Sequence, residues 1–129
     1  MARLRESYGN LIPVGEETGV LEEVTKGESR SGNPVVTYKI SLLTGPAAGR
    51  AVYEHRSLQP QALWRLGKDL IALNAPDVDL PEDDAARAEA MVELARGRVG
   101  ARVRFRVTVD GEFNRFQFLS VLEGPPAGS

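Results

Sequence analysis

The sequence predicts a mainly β domain interrupted once by a helical segment, and three observations support this. Residues 99–109 alternate apolar and polar side chains with a period of two, as a half-buried strand requires. Residues 60–97 place proline, acidic residues and glycine where helices start and stop. The other strand signals fall three before that segment and two after it. At 129 residues, with 42% hydrophobic and 26% charged, the chain has the size and balance of one globular domain.

The first strand is expected at residues 20–24, after Gly15 and Gly19. A polar loop follows at residues 27–34, reading GESRSGNP. Residues 35–43 set Val36, Tyr38, Ile40 and Leu42 against Val35, Thr37, Lys39 and Ser41, which predicts a second strand. Gly45-Pro46 and Gly49 mark a turn, and residues 50–56 form the third strand around Val52 and Tyr53.

Pro60 suits a first helical turn, where its missing N–H costs nothing. Leu63, Leu66, Gly67, Leu70, Ile71 and Asn74 then recur at helical spacing, with Asn74 and Pro76 as the stop. Trp64 is expected to be a packing anchor on this helix. A second helix begins near Pro81, with Glu82, Asp83 and Asp84 at its positive dipole end, and closes at Gly97. Its apolar positions are mostly alanine, so it packs shallowly.

In the fourth strand Ala101, Val103, Phe105, Val107 and Val109 share one face, and Arg102, Arg104, Arg106 and Thr108 the other. Asp110-Gly111 is a hairpin signal, and residues 113–122 complete the set. Three strands, a helical insert at about 60–97 and two strands best match a five-stranded OB-fold-like Greek-key barrel, whose helix joins strands 3 and 4. A split sheet covered on one side by helices satisfies the same order. The organisation expected is an N-terminal arm at 1–14, a domain at 15–123 and a short flexible tail at 124–129.

Much chemistry is excluded by composition. With no cysteine there is no disulfide framework, thiol nucleophile or thiolate zinc site. His55 is the only histidine, so a triad or imidazole metal site would rest on it alone. No phosphate-loop, dinucleotide or zinc-protease motif is present. The acidic runs at 77–79 and 82–84 could be imagined as magnesium ligands, but a dipole-favourable helix start accounts for them better. The expectation is a non-enzymatic protein without cofactor or metal. No apolar run approaches the roughly 20 residues of a membrane span, and no signal-peptide core opens the chain, so a cytoplasmic setting follows.

The net charge of −2 argues at first against nucleic acid, but the charge is unevenly spread. Residues 61–97 hold eight acidic and four basic side chains, which more than accounts for the deficit. Residues 98–129 hold five basic and three acidic ones. Partner choice follows the local field rather than the average. Arg102, Arg104 and Arg106 project from one face at intervals of about 6.8 Å, comparable to the spacing of phosphates on an extended single strand. A solvated outer face with arginine heads paired to neighbouring carboxylates is the alternative. Phe105, Phe116, Phe118 and Tyr38 are expected in the core, and Tyr53 and Phe113 as stacking platforms. His55 beside Arg56 is either a phosphate or base contact or a plain surface histidine.

Four stretches carry a resemblance. They are Ser29-Arg30-Ser31-Gly32-Asn33-Pro34, Gly45-Pro46-Ala47-Ala48-Gly49-Arg50, Ser57-Leu58-Gln59-Pro60-Gln61-Ala62-Leu63-Trp64-Arg65-Leu66 and Gly97-Arg98-Val99-Gly100-Ala101-Arg102-Val103-Arg104. Together they resemble a family of phage replication-module proteins, catalogued as a domain of unknown function, over most of residues 15–122. The resemblance implies an OB-fold-type single-stranded DNA-binding protein acting in phage replication or recombination, in the cytoplasm of a bacterial host. Many single-strand binders end in an acidic tail, whereas residues 124–129 here carry no charged side chain.

In this reading Lys39, Arg56, Arg102, Arg104, Arg106 and Arg115 contact the DNA backbone. Tyr53 and Phe113 stack bases, His55 assists, and Lys26 and Arg30 close over from the first loop. OB barrels bind through strands 2 and 3 and adjoining loops, which makes the fourth-strand arginines secondary. Expected partners are single-stranded DNA and phage or host replication or recombination proteins, with no membrane, and homo-oligomer formation stays open. The competing reading is an OB-type interaction module that docks on such an enzyme without touching DNA, a role the acidic insert would suit. A metal-dependent nuclease accessory is a distant third.

Overall fold

Alternation decides which face of each strand meets the core, and the computed structural model, which describes residues 11–126, follows it closely. The strands are β1 (Gly15–Glu28), β2 (Pro34–Leu42), β3 (Ala51–Ser57), β4 (Arg102–Asp110) and β5 (Phe113–Glu123). Between β3 and β4 come a 3-10 turn (Pro60–Ala62) and two helices, α1 (Leu63–Ala72) and α2 (Asp84–Arg96). Val36, Tyr38, Ile40 and Leu42 of β2 are buried, as are Val103, Phe105 and Val107 of β4. Tyr38 meets Phe118, and Phe105 meets Phe116, both edge to face. These are the aromatics the alternation assigns to the interior.

The strands form one antiparallel sheet in the order β3-β2-β1-β4-β5. β1 is much longer than residues 20–24 suggest, because it serves two neighbours. Its first part pairs with β4 from Gly15↔Val107 to Val20↔Arg102, and its second with β2 from Gly19↔Leu42 to Glu28↔Pro34. Glu16, Glu17 and Thr18 are strand residues by pairing rather than by hydrophobicity, so no periodicity marks them. Gly19 lies where the two ladders overlap. A Cβ there would sit 2.7 Å from the Ser41 carbonyl oxygen and 2.8 Å from Ile40 Cγ2, so only glycine fits.

The sheet is open. Its two edges are β3 and β5, and no backbone ladder joins them among the described residues, so the closed barrel expected from the element order is not formed by backbone pairing. Side chains span the gap instead: Glu54 Oε1 of β3 accepts from the Phe116 N–H of β5 at 3.2 Å. Arg56 Nη2 donates to the Phe116 carbonyl at 3.0 Å. Helix α1 packs against both edge strands, and α2 against β1 and α1. Shifts of register at Leu21/Glu23 in β1 and at two points along β4–β5 raise the local twist that curls the sheet around its core.

Helix α1 buries Leu63, Leu66, Asp69 and Leu70, and Asn74 ends it in the left-handed region at φ 58°. Asp83 caps α2 by accepting the Ala86 N–H at 2.9 Å, which accounts for that acid as a helix start. Residues 99–101, expected in the fourth strand, form a turn through Gly100 at φ 97°. Ile12, within the stretch expected as an arm, is buried, and its N–H donates to Asn114 Oδ1 at 2.7 Å. The rest of that arm up to residue 10, and residues 127–129 of the tail, lie outside the described residues.

Candidate nucleic-acid interface

Cross-strand register arranges the outward side chains of β2 and β3 into rows. Thr37 pairs with His55 and Lys39 with Tyr53, all on the outer face. Tyr53 is 55% exposed, which for a large ring on a strand is a free face rather than a packed one. Phe113, at the start of β5, is 72% exposed. Sixty residues apart in sequence, the two rings line one cleft of about 420 Å3 together with Arg50 and Asn114. The two expected stacking candidates are thus neighbours.

At the β1–β2 loop, Arg30, Thr37 and His55 line a second hollow of about 480 Å3 together with Lys26, which lies at the strand edge with the inward parity of Val36. His55 Nδ1 lies 2.7 Å from Thr37 Oγ1, which orients the ring. Lys39 pairs with Glu22 at 3.6 Å, and Lys26 with Glu89 of α2. Both pairs are solvent-accessible and are therefore cheap to exchange for another anion. Arg30 is exposed and has no partner among the described residues.

The fourth-strand arginines lie on the same side of the sheet as Lys39 and Ser41, but across β1 from them. β1 lies between β2 and β4, so Arg102 is two strands, roughly 10 Å, from Ser41. Arg102, Arg104 and Arg106 are all exposed, and their side chains make no ion pair or hydrogen bond among the described residues. Pairing to neighbouring carboxylates, the alternative reading of the row, is not what the structure shows. Glu16 lies opposite Arg106 in register and still does not bridge to it.

Arg56 must be withdrawn from the interface. It is only 9% exposed, and its guanidinium is consumed internally. Nε donates to Asp69 Oδ2 at 2.9 Å, Nη1 faces Glu54 Oε1 at 3.0 Å and Nη2 reaches the Phe116 carbonyl. Tyr38 donates its hydroxyl to Asp69 Oδ2 at 3.0 Å, and Arg115 Nε donates to Glu54 Oε1 at 2.8 Å. Burial would lower the Arg56 pKa, but the Asp69 and Glu54 carboxylates outweigh it and hold the guanidinium charged. Burial also pushes the Tyr38 phenol far up, with the Asp69 charge adding to it. Arg115 keeps an exposed flank and remains able to meet a ligand.

Sequence reasoning misses this cluster, although its signals are present. Val52, Glu54 and Arg56 share the inward parity of β3, and Asp69 falls on the leucine stripe of α1. Two opposite charges at core positions on facing elements signal a buried ion pair. Trp64 is a second correction. It is 56% exposed, because Leu63, Leu66, Leu70 and Leu73 form the buried stripe and Trp64 lies one residue, about 100° of helix, off it. Arg65 and Lys68 each hold a cationic group 5.2 Å from its ring centroid.

Among the described residues no group of three or more His, Asp or Glu side chains is arranged to hold a metal ion. No helix there is long and apolar enough to cross a membrane. Compared with known proteins, the chain matches no family model and no curated sequence.

Proposed function

We propose that the chain is a non-enzymatic, OB-type single-stranded DNA-binding protein, largely indifferent to sequence. The observation that carries this reading is the shared cleft of Tyr53 and Phe113, two exposed rings with Arg50 and Glu112 in its lining, Lys39 beside Tyr53 in register, and His55, Arg30 and Lys26 in a separate hollow at the β1–β2 loop. Stacking rings inside a basic surface suit unpaired bases of any identity, because every base has a π-face. The sheet order and the partly open seam between β3 and β5 are compatible with an OB barrel, whose second and third strands and flanking loops bind oligonucleotides. The phage replication or recombination setting rests on the motif resemblance alone.

The test is a titration of fluorescent oligo-dT by anisotropy at several salt concentrations. Binding that weakens steeply with salt is expected, since phosphate contacts release counterions. Absence of binding at low salt would refute the proposal. It would favour the protein-docking reading, for which the exposed Ile71 and Val78 beside Trp64 are the supporting observation.

A further inference from the structure

The outward row of β4 and the exposed tryptophan of α1 are joined by one strand. Arg106 pairs with Gln117 and Thr108 with Arg115 across β4–β5, so Gln117 and Arg115 continue the arginine face outward. Gln117, Arg115 and Thr108 also line a cleft of about 370 Å3 between β5 and α1, whose opposite wall is Trp64, Arg65 and Lys68. Its floor is the Glu54–Arg56–Asp69 cluster, where the charges already satisfy one another. Arg65 and Lys68 are therefore cations without an acidic partner on the wall, beside an indole open to solvent.

We infer that the β4 arginine row and the Trp64 cleft form a second single-strand track, divided from the β2–β3 residues by β1 and leading away from them over β5, with Trp64 as its stacking platform. This rests on the single-strand-binding reading and extends it. The row from Arg102 to Arg106 spans about 13 Å of strand, room for about three phosphates, one at each arginine. A chain leaving it across Gln117 and Arg115 meets an indole flanked by two cations. That is the pairing of base platform and phosphate contact a single strand needs. An acidic peptide would use the cations but has less need of the exposed ring, so nucleic acid is the favoured occupant.

Trp64 is the only tryptophan in the chain, and its fluorescence reports on the two hollows it borders, this cleft and the apolar one with Ile71 and Val78, of which Arg65 lines only the first. The experiment titrates oligo-dT of graded length into the full chain, reading Trp emission and, in parallel, anisotropy of labelled oligonucleotide. Emission should be quenched on binding and recover with salt. Trp64→Ala and a paired Arg65→Glu, Lys68→Glu variant should each weaken long oligonucleotides about fivefold or more. The shortest oligonucleotides should instead depend on Tyr53 and Phe113. Circular dichroism checks that the variants fold, which the exposure of all three side chains favours. Anisotropy showing binding, with emission unchanged and both variants at wild-type affinity, overturns the track and leaves the first face standing. No anisotropy change in any arm refutes both. Quenching by poly-glutamate but not by oligo-dT also overturns the track and assigns the cleft to an acidic protein segment.

Discussion

Two sets of arginines sit on strands of the same sheet and lead opposite lives. At the β3–β5 seam, Arg56 is buried among Glu54, Asp69 and the Phe116 carbonyl, and Arg115 joins it through Glu54. On β4, Arg102, Arg104 and Arg106 face solvent, and no carboxylate among the described residues bridges to them. Residue type and secondary structure are shared, so neither explains the difference. Parity does, together with what lies opposite. Arg56 falls on the inward set with Val52, where a charge survives only with partners. The β4 row falls on the outward set, where unpaired charge costs little and remains available. Buried arginine here replaces missing backbone bonds between two sheet edges, and exposed arginine leaves an unsatisfied field.

The sharpest way to break the comparison is to remove one partner at the seam. Asp69→Ala should cost about 3–5 kcal/mol of unfolding free energy, because it takes one of two carboxylates from the buried Arg56 and leaves the Arg56 Nε–H and the Tyr38 hydroxyl without their acceptor. Urea unfolding followed by circular dichroism measures it. Replacing Arg56 by methionine in the same chain should recover part of that loss, since the unsatisfied Nε–H goes with it and Arg115 still meets Glu54. A loss below about 1 kcal/mol for Asp69→Ala would mean that the cluster is wetter than its burial indicates.

The outward aromatics sharpen the comparison from the other side. Tyr53→Ala and Phe113→Ala should leave the melting temperature nearly unchanged, as both rings are largely solvated. Each should lower oligo-dT affinity by about 1–3 kcal/mol if it stacks one base. Equal losses in stability and affinity would instead assign the rings to packing.

How much of this is legible in the sequence follows from the same parity argument. The interior of β2 and β4 is readable because apolar and polar residues alternate there, with Val35 and the exposed Val109 as the breaks in the pattern. The β1 start is not, because Glu16 to Thr18 owe their conformation to pairing with Arg104 and Arg106 on a strand ninety residues away. The Tyr53–Phe113 pairing is guessable by residue type, but its cleft depends on bringing the β3 edge beside the β4–β5 hairpin, which no local pattern encodes. Trp64 is misplaced when its size is allowed to outrank its position off the leucine stripe. Closure of the sheet is misread because element order fixes neighbours and not whether the last two strands exchange backbone bonds or side-chain ones.

For the β4 row the expected effect is smaller and appears in salt dependence. Changing Arg102, Arg104 and Arg106 to alanine together should barely alter stability. It should flatten the plot of log affinity against log salt by about 0.7 for each phosphate that the row no longer neutralises. An unchanged slope would place the DNA wholly on the β2–β3 face and would confine the row to a solubilising role.

The smallest effect concerns a charge intermediate between the two sets, exposed and yet partnered. Lys26 of β1 holds Glu89 of α2, and that hydrogen bond lowers the Glu89 pKa below its ordinary value of 4.5. A depressed carboxylate contributes stability that is present above the unfolded value and lost as pH falls through the folded one. The link should therefore weaken only in acid, below about pH 4.5. Carboxyl shifts of Glu89 followed by NMR titration should show a low midpoint that rises toward the ordinary value in Lys26→Ala, with Arg96 still drawing it down. Solvent on both partners keeps the effect on stability slight at neutral pH. Saturating oligo-dT supplies the decisive arm: if Lys26 leaves Glu89 for a phosphate, the Glu89 midpoint should rise as it does in the alanine variant. A midpoint unmoved by DNA would remove Lys26 from the interface and leave Arg30 to close the loop over the strand.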